Sequence, residues 1–157
     1  MKVPYYVPWI NSDDAKNVKK SLEQRWITNG PILKKFEKNI GEYIGVKYSS
    51  GVGSATQALH LSMRALGIGL GDEVIVPTFT FAATANSVLY CGAKPILTDV
   101  DDETFNISPK EIEKNITKKT KAIIPVHYGG QSCDMNEIIK IAKKHKLKII
   151  EDCAHAL

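Results

Sequence analysis

Four short apolar runs, separated by longer stretches with helical periodicity, constrain the fold of this chain more than any other feature. The runs cover residues 73–76, 95–98, 122–126 and 148–151, and a further candidate strand lies around residues 47–49. The four runs are β-branched and do not alternate between apolar and polar side chains, which is typical of strands buried on both faces of a parallel sheet. Strands and helices that alternate along the chain predict an α/β fold, with helices flanking a mostly parallel sheet.

Local start and stop signals place helices between these runs. Residues 108–111 and 134–137 each have the spacing of a capping box, the first with Pro109 at the first helical position. Residues 55–66 carry an apolar face and end before Gly67, which suits the left-handed residue that closes a helix. Further predicted helices cover residues 12–22, 31–44 and 80–90.

The composition excludes several classes of protein. With 157 residues, 43% hydrophobic and 24% charged, the chain is long enough for a core without disulfide bonds and has no apolar run near the roughly 18 residues of a membrane helix. The net charge of +4 comes mainly from lysine, and only two arginines are present, so we expect neither nucleic acid nor a membrane as partner. Three widely spaced cysteines without a CxxC motif predict reduced thiols, a cytoplasmic location and no metal site.

Ligands of open α/β sheets bind beyond the carboxyl ends of the strands, so the residues after each run are candidate binding residues. The segment 50–57 opens a helix with glycines, hydroxyls and free amides, which suits a phosphate but is also an ordinary helix start. Phe81 could stack on a planar ring or belong to the core. His127 and Tyr128 follow the third run in a glycine-rich loop, where a lone histidine is either a ligand contact or a structural residue.

Asp152 is the most informative single residue of the sequence. It follows a hydrophobic run, and burying an acidic side chain there is costly unless a cation, a metal ion or hydrogen-bond donors accompany it. A protonated pyridine nitrogen is one fitting partner, because a carboxylate beside it keeps the ring cationic and makes the ring an electron sink.

Together these segments resemble the sugar aminotransferases of the DegT/DnrJ/EryC1/StrS family, which depend on pyridoxal 5′-phosphate (PLP). The resemblance spans nearly the whole chain, in order. It rests on WIT at 26–28, SATQALH at 54–60, GDEVIVP at 71–77, FTFAATAN at 79–86, GAKP at 92–95, DVD at 99–101, TKAIIPVH at 120–127 and EDCAHA at 151–156. It implies PLP-transferase fold type I, similar to aspartate aminotransferase, with an incomplete large domain.

The resemblance implies cofactor-binding roles for five residues. Ala55 and Thr56, at a helix start, would bind the PLP phosphate, and Ala55 stands where the family often has glycine. Phe81 would stack on the pyridine ring, and Asp152 would pair with the ring nitrogen. His155 would lie near the phenolic oxygen of the ring, where relatives have glutamine or histidine.

The resemblance also implies a reaction. The family transfers an amino group, typically from glutamate, to a nucleotide-linked keto-sugar, and His127 and Tyr128 would lie on the substrate side. The Schiff-base lysine of the family would lie beyond Leu157, so no catalytic residue is assigned among residues 1–157. We therefore expect these residues alone to bind PLP weakly and not to transaminate. A homodimer or a complementing C-terminal fragment would complete the site.

The resemblance divides the chain into segments. Residues 1–45 would form a helical segment that packs on the large domain, residues 46–157 would form part of the PLP-binding large domain, and the small C-terminal domain would be absent. The strand at 148–151 would then be an exposed edge. A non-catalytic remnant that binds cofactor or nucleotide sugar, and an assembly partner of a full-length paralogue, stay open as alternatives. The choice between aminotransferase and dehydratase depends on residues beyond Leu157.

Overall fold

The structure of the protein is a computed structural model that describes residues 7–157. The chain forms two compact units, of which the first ends at Gly51 and the second comprises Val52–Leu157. None of the helices in the described part of the chain is both long and apolar enough to cross a membrane. The packing of residues 1–45 on the large domain stays a prediction.

Between residues 7 and 51, the first unit contains two helices, α1 (Ser12–Glu23) and α2 (Pro31–Ile44). Asn11 begins α1 with a capping box, because its side chain accepts from the amides of Asp13 and Asp14 while the Asp14 carboxylate accepts from the Asn11 amide. Pro31 opens α2, and Gly45 ends it in the left-handed conformation with a φ of 73°. Both predicted helices are confirmed.

The second unit is built on a four-stranded parallel sheet with the strand order β2-β1-β3-β4. Its elements along the chain are α3 (Ala55–Ala65), β1 (Glu73–Pro77), α4 (Ala83–Tyr90), β2 (Lys94–Thr98), α5 (Pro109–Asn115), β3 (Thr120–Ile123), α6 (Met135–His145) and β4 (Lys148–Ile149). The parallel sheet with intervening helices confirms the predicted α/β fold class. As predicted for the last apolar run, β4 lies at an edge of the described sheet.

Helices cover both faces of this sheet. On one face α3 and α4 pack on the strands, and on the other face α5 and α6 do so. Each face of the sheet therefore has its own hydrophobic core. Consecutive residues of β1 point to opposite faces, since Val74 and Val76 pack in the core under α3 and α4 and Ile75 packs in the core under α5 and α6. All five residues of β1 are buried, which explains its unalternating apolar sequence. The edge strand β2 is only partly buried, so the prediction of burial on both faces is wrong for that strand.

Two helices of the second unit have the predicted terminal residues. α3 closes in a Schellman arrangement, in which the Gly67 amide donates to the Arg64 carbonyl and the Ile68 amide donates to the Met63 carbonyl. Gly67 has a φ of 75°, a conformation that glycine adopts without a side-chain penalty. Asp134 caps α6, because its side-chain oxygen accepts from the Glu137 amide at 3.2 Å. The reciprocal half of the predicted capping box is not among the described hydrogen bonds, and the Glu137 carboxylate pairs with Lys140 instead.

The capping box predicted at Ser108 does not form, although Pro109 begins α5. The Ser108 amide donates to the Asp99 carbonyl, and the Glu111 carboxylate pairs with Lys114 at 2.6 Å. Because both groups are engaged elsewhere, the contact from Glu111 back to the Ser108 amide is lost.

Three strand predictions also differ from the structure, one of them the run at 148–151, of which only Lys148–Ile149 forms a strand. No strand forms at residues 47–49, because this segment belongs to the first unit, whose described residues include no strand with which it could pair. β3 stops at Ile123 rather than at residue 126, since Pro125 has no amide to donate to a ladder. Beyond this proline, Val126 makes a single parallel bridge with Asp152.

Candidate active site

The carboxyl ends of the strands lie at one edge of the sheet, because all strands run in the same direction. Phe79 and Phe81 follow β1, His127 and Tyr128 follow β3, and Asp152 follows β4. Candidate residues that are distant in the sequence therefore come from the same edge of the sheet.

Asp152 is buried at this edge, with 5% of its surface exposed. Its Oδ2 accepts a hydrogen bond from the Thr84 hydroxyl at 2.8 Å, and its Oδ1 accepts one from the Ala154 amide at 3.1 Å. Thr84 is fully buried in α4, and its hydroxyl also lies 2.8 Å from the Thr80 hydroxyl. No ion pair within residues 7–157 involves Asp152. A buried carboxylate held only by neutral donors is stabilised further by a cationic donor.

This carboxylate fits the ring nitrogen of PLP. An ionised carboxylate offers about four lone-pair sites, and the side-chain and amide donors to Asp152 use one on each oxygen. A protonated pyridine nitrogen would supply the cationic donor that the described surroundings of Asp152 lack. The donor set is therefore compatible with the cofactor that the resemblance implies.

The amino end of α3 offers backbone amides to an anion. Ser54 is the N-cap residue, and its hydroxyl accepts from the Gln57 amide at 3.3 Å, while the Gly53 amide donates to the Gln57 side chain at 2.9 Å. The amides of Ala55 and Thr56 lie in the first turn, where a helix provides no partner, and none of the described hydrogen bonds uses them. First-turn amides and the helix dipole favour a negatively charged group such as a phosphate.

Phe81 lies one turn before Thr84, and 75% of its surface is exposed. Its carbonyl accepts from the Thr84 amide at 3.1 Å, so a single turn carries both the exposed ring and the hydroxyl that binds Asp152. α3 packs against α4, which places the candidate phosphate-binding amides on the neighbouring helix. An exposed aromatic ring in this position suits a planar heterocycle.

One protein family matches nearly the whole chain. The sequence model of the DegT/DnrJ/EryC1/StrS aminotransferase family matches residues 8–157. The chain belongs to this family. The resemblance is thereby confirmed, and the structural likeness to solved aminotransferases confirms the fold class of this DegT/DnrJ/EryC1/StrS family member.

Three similar proteins show how much of a family member the chain represents. The spore coat polysaccharide biosynthesis protein SpsC of Bacillus subtilis is 44% identical over 155 residues, which cover 99% of this chain and 40% of SpsC. A GDP-perosamine synthase of Caulobacter vibrioides is 44% identical over 157 residues, which cover 99% of this chain and 42% of the synthase. NtdA of Bacillus subtilis, solved with bound cofactor PMP, is 37% identical with a TM-score of 0.90, covering 99% of this chain and 38% of NtdA. The chain thus spans about 40% of the length of the curated relatives that it matches.

In this DegT/DnrJ/EryC1/StrS family member, His127 is buried and both of its ring nitrogens have partners. Nδ1 accepts from the Cys133 amide at 3.1 Å, and Nε2 lies 2.9 Å from Oε2 of Glu151. Because Nδ1 acts as an acceptor, the ring proton belongs to Nε2, which donates to Glu151. The structure therefore gives His127 partners within the chain, and its contact with substrate stays a prediction.

Tyr128 and His155 form an aromatic cluster with Phe79. The ring centroid of Tyr128 lies 4.5 Å from that of Phe79 and 5.5 Å from that of His155. Nδ1 of His155 accepts from the Gly129 amide at 3.3 Å. The structure thus brings two of the predicted site residues together, while their roles toward substrate and cofactor stay predictions.

Cys153 follows Asp152 directly but is a poor candidate for a nucleophile. Partial desolvation raises the pKa of its thiol above the ordinary value, and the negative charges of Glu151 and Asp152 raise it further. The thiol is therefore neutral at neutral pH, whereas a reactive cysteine requires a thiolate.

Thr84, the side-chain partner of Asp152, is not among the site residues predicted from the sequence. A signal for it exists, because Thr80, Thr84 and Ser87 recur at spacings of four and three residues, which predicts a polar stripe on one face of the helix expected over residues 80–90. In the structure the helix begins only at Ala83. Thr84 and Ser87 are fully buried, which is unusual for polar side chains and marks the stripe as functional or structural.

Sequence analysis also missed Asn106, which holds the loop that carries Tyr128. Asn106 is 4% exposed, and its Nδ2 donates to the carbonyls of Gln131 and Ser132. Its Oδ1 accepts from the Tyr128 amide at 3.2 Å. No local pattern indicates this role, because all of the described partners of its side chain are more than 20 residues away in the sequence.

Proposed function

We propose that residues 1–157 form the N-terminal part of a PLP-dependent aminotransferase that acts on a nucleotide-linked keto-sugar. The family match supports the reaction class. A spore coat polysaccharide biosynthesis protein and a GDP-perosamine synthase among the relatives support a nucleotide sugar as the substrate. We assign the activity to these residues together with the region that the relatives carry beyond the match.

The buried carboxylate of Asp152 carries this proposal. PLP, when bound, supplies a cationic ring that withdraws electrons from the reacting carbon of the substrate. Asp152 would keep the ring nitrogen protonated, because its carboxylate is buried and its described donors are neutral. Thr84 would hold the carboxylate in position through its hydroxyl.

Other residues would bind and orient the cofactor. The amides of Ala55 and Thr56 would hold the phosphate at the amino end of α3. Phe81 would stack on the pyridine ring and exclude water from that face. His155 would lie near the phenolic oxygen of the ring.

The substrate would lie next to His127 and Tyr128, and glutamate would be the amino donor. We place the Schiff-base lysine, which would move the proton during transfer, in the region that the relatives carry beyond the match. A homodimer, or a complex with a complementing C-terminal fragment, would form the complete site. We propose a cytoplasmic location, where the cysteines stay reduced.

Binding of pyridoxamine 5′-phosphate (PMP) tests the site, because PMP carries its own amine and needs no lysine to bind. Calorimetric titration with PMP would compare the chain alone with the chain co-expressed with the C-terminal part of a family member. Asp152→Asn removes the charge with little change in shape. We expect it to weaken PMP affinity at least about tenfold, since a hydrogen bond to a charged group contributes about 1.5–3 kcal/mol.

Asp72→Asn is the matched control. Asp72 precedes β1 at the opposite end of the sheet, and its Oδ2 accepts from the Gly69 amide at 3.0 Å, a contact that an asparagine oxygen can keep. Equal PMP affinities of Asp152→Asn and Asp72→Asn would show that Asp152 is not the ring partner. A complemented protein that binds PMP but transfers no amino group would favour the non-catalytic alternative.

A further inference from the structure

We infer that Glu151 and His127 form a positioning pair that fixes the two strand ends from which Asp152 and Tyr128 reach the active-site edge. The inference rests on the proposed function only in taking Asp152 as the residue whose position matters for the cofactor. The pair itself is defined by contacts within the chain. It acts through the backbone and not by touching a reacting atom.

The ring of His127 is held in one tautomer by its two partners. The Cys133 amide donates to Nδ1 at 3.1 Å, so Nδ1 of the neutral ring carries no proton. Nε2 therefore carries the proton and donates to Oε2 of Glu151 at 2.9 Å. The side chain of His127 is 8% exposed and that of Glu151 is 48% exposed, so the bond joins a buried ring to a half-exposed carboxylate.

The same two strand ends are joined by backbone hydrogen bonds. The His127 amide donates to the Asp152 carbonyl at 3.2 Å, and the Asp152 amide donates to the Pro125 carbonyl at 2.9 Å. These bonds lie beyond the last regular pairs of β3 and β4, where Pro125 removes one amide from the strand. The bond from His127 to Glu151 adds a side-chain link at this weakened place, directly before Asp152.

His127 also links the strand end to the loop that follows it. Its bond to the Cys133 amide closes the loop 128–132, which begins with Tyr128. The Cys133 thiol points back to the Val126 carbonyl at 3.2 Å, and its pKa is raised to about 11, chiefly by burial, so it stays a neutral donor. One imidazole thus joins the end of β3, the end of β4 and the loop of Tyr128.

The tautomer is measurable without any ligand. In a ¹⁵N-labelled chain, NMR of the imidazole nitrogens distinguishes a protonated Nε2 from a protonated Nδ1. We expect His127 to show a protonated Nε2 and an unprotonated Nδ1. We also expect Glu151→Ala to shift both nitrogen resonances of His127, because the acceptor of the Nε2 proton is removed. A glutamate that does not accept the Nε2 proton of His127 would leave these resonances unchanged.

The effect on the site is measured by PMP titration of the same variants. Glu151→Ala should weaken PMP affinity about three- to tenfold, the loss expected when one hydrogen bond no longer holds a binding residue. Glu151→Gln keeps an acceptor oxygen at the same reach and should restore most of the affinity. Glu113→Ala is the matched control, since it removes an acid that lies 3.7 Å from Nε2 of His145, between α5 and α6. This control should leave PMP affinity unchanged.

The outcomes separate this inference from the proposed function. A His127 ring protonated at Nδ1 would overturn the positioning pair, and so would a Glu151→Ala variant with the His127 resonances and PMP affinity of Glu113→Ala. The chain could also bind no PMP, even when complemented, although its His127 resonances respond to Glu151→Ala. That result would support the positioning pair and refute the proposed function. The tautomer of His127 in the wild-type chain tests the positioning pair even if Glu151→Ala fails to fold.

Discussion

The two compact units bury their apolar side chains to very different extents. In the first unit, α1 buries no residue and α2 buries only Gly41, while Val18, Leu22 and Phe36 are each more than half exposed. In the second unit, all five residues of β1 are buried, and Ile75 contributes to a core with 0% exposure. The first unit is therefore specified mainly by local helix signals, and the second mainly by packing of its sheet against helices.

Two intrinsic probes allow this comparison to be tested one unit at a time. Both tryptophans, Trp9 and Trp26, lie in the first unit, so tryptophan emission reports on that unit. The three cysteines, Cys91, Cys133 and Cys153, lie in the second unit, and the first two are buried. Thiol labelling in increasing urea therefore reports on the second unit.

The largest expected effect comes from truncating the buried core. Ile75→Ala should lower the free energy of unfolding of the second unit by about 2–5 kcal/mol, because it removes buried methyl groups and leaves a cavity. Labelling of Cys91 and Cys133 in a urea series measures this loss. Val18→Ala is the matched control in α1. We expect it to change the free energy of unfolding of the first unit, followed by tryptophan emission, by less than about 0.5 kcal/mol. Equal losses in the two variants would show that the apolar face of α1 is buried in solution.

Removal of the N-cap of α1 should cause a smaller loss of stability, in the first unit. Asn11→Ala removes the side-chain acceptor for the Asp13 and Asp14 amides and should destabilise α1 by about 1 kcal/mol. Helicity measured by circular dichroism should fall, and the tryptophan transition should move to lower urea. Asn11→Ser keeps a capping oxygen and should behave like the wild type. An unchanged helix in Asn11→Ala would mean that α1 depends on packing rather than on its cap.

An effect that is absent at neutral pH sharpens the comparison further and concerns the second unit alone. Burial raises the pKa of Cys133 to about 11 from the ordinary value of 9.0. Below pH 9.0 the thiol is neutral in both the folded and the unfolded state, so it does not change the free energy of unfolding. As pH rises from 9.0 toward 11, the unfolded state loses the proton first, so the stability of the fold falls. Cys133→Ala should flatten this decline in the thiol-labelling series, and Cys153→Ala should flatten it less. Identical slopes in wild type and Cys133→Ala would contradict the raised pKa.

Most elements of both units could be predicted from the sequence, and the exceptions have physical causes. The ends of α2 follow from Pro31 and Gly45, and the end of α3 follows from Gly67, because these residues restrict or free the backbone locally. The strand predicted at 47–49 is wrong because a strand exists only through a partner. β3 ends at Ile123, before the end of the apolar run, because Pro125 has no amide to donate to the ladder.

The candidate active site was only partly predictable. Asp152 and Phe81 could be selected because strand ends of parallel sheets carry ligand-binding residues. The sequence does not show the partners of Thr84, Asn106 and Glu151, because the side chain of each contacts a residue far away in the sequence. The motif spacing that identifies the family carries no information on such contacts.

The sequence by itself determined most of the helices and strands, the parallel arrangement of the strands and the resemblance to the family. These features depend on caps, prolines, glycines, hydrophobic periodicity and motif order, all of which act within a few residues. Only the tertiary structure decided that Thr84 binds Asp152 across 68 positions and that His127 meets Glu151 across 24. The physical reason is that these bonds depend on which strands become neighbours, and strand order results from packing the whole second unit around its two cores.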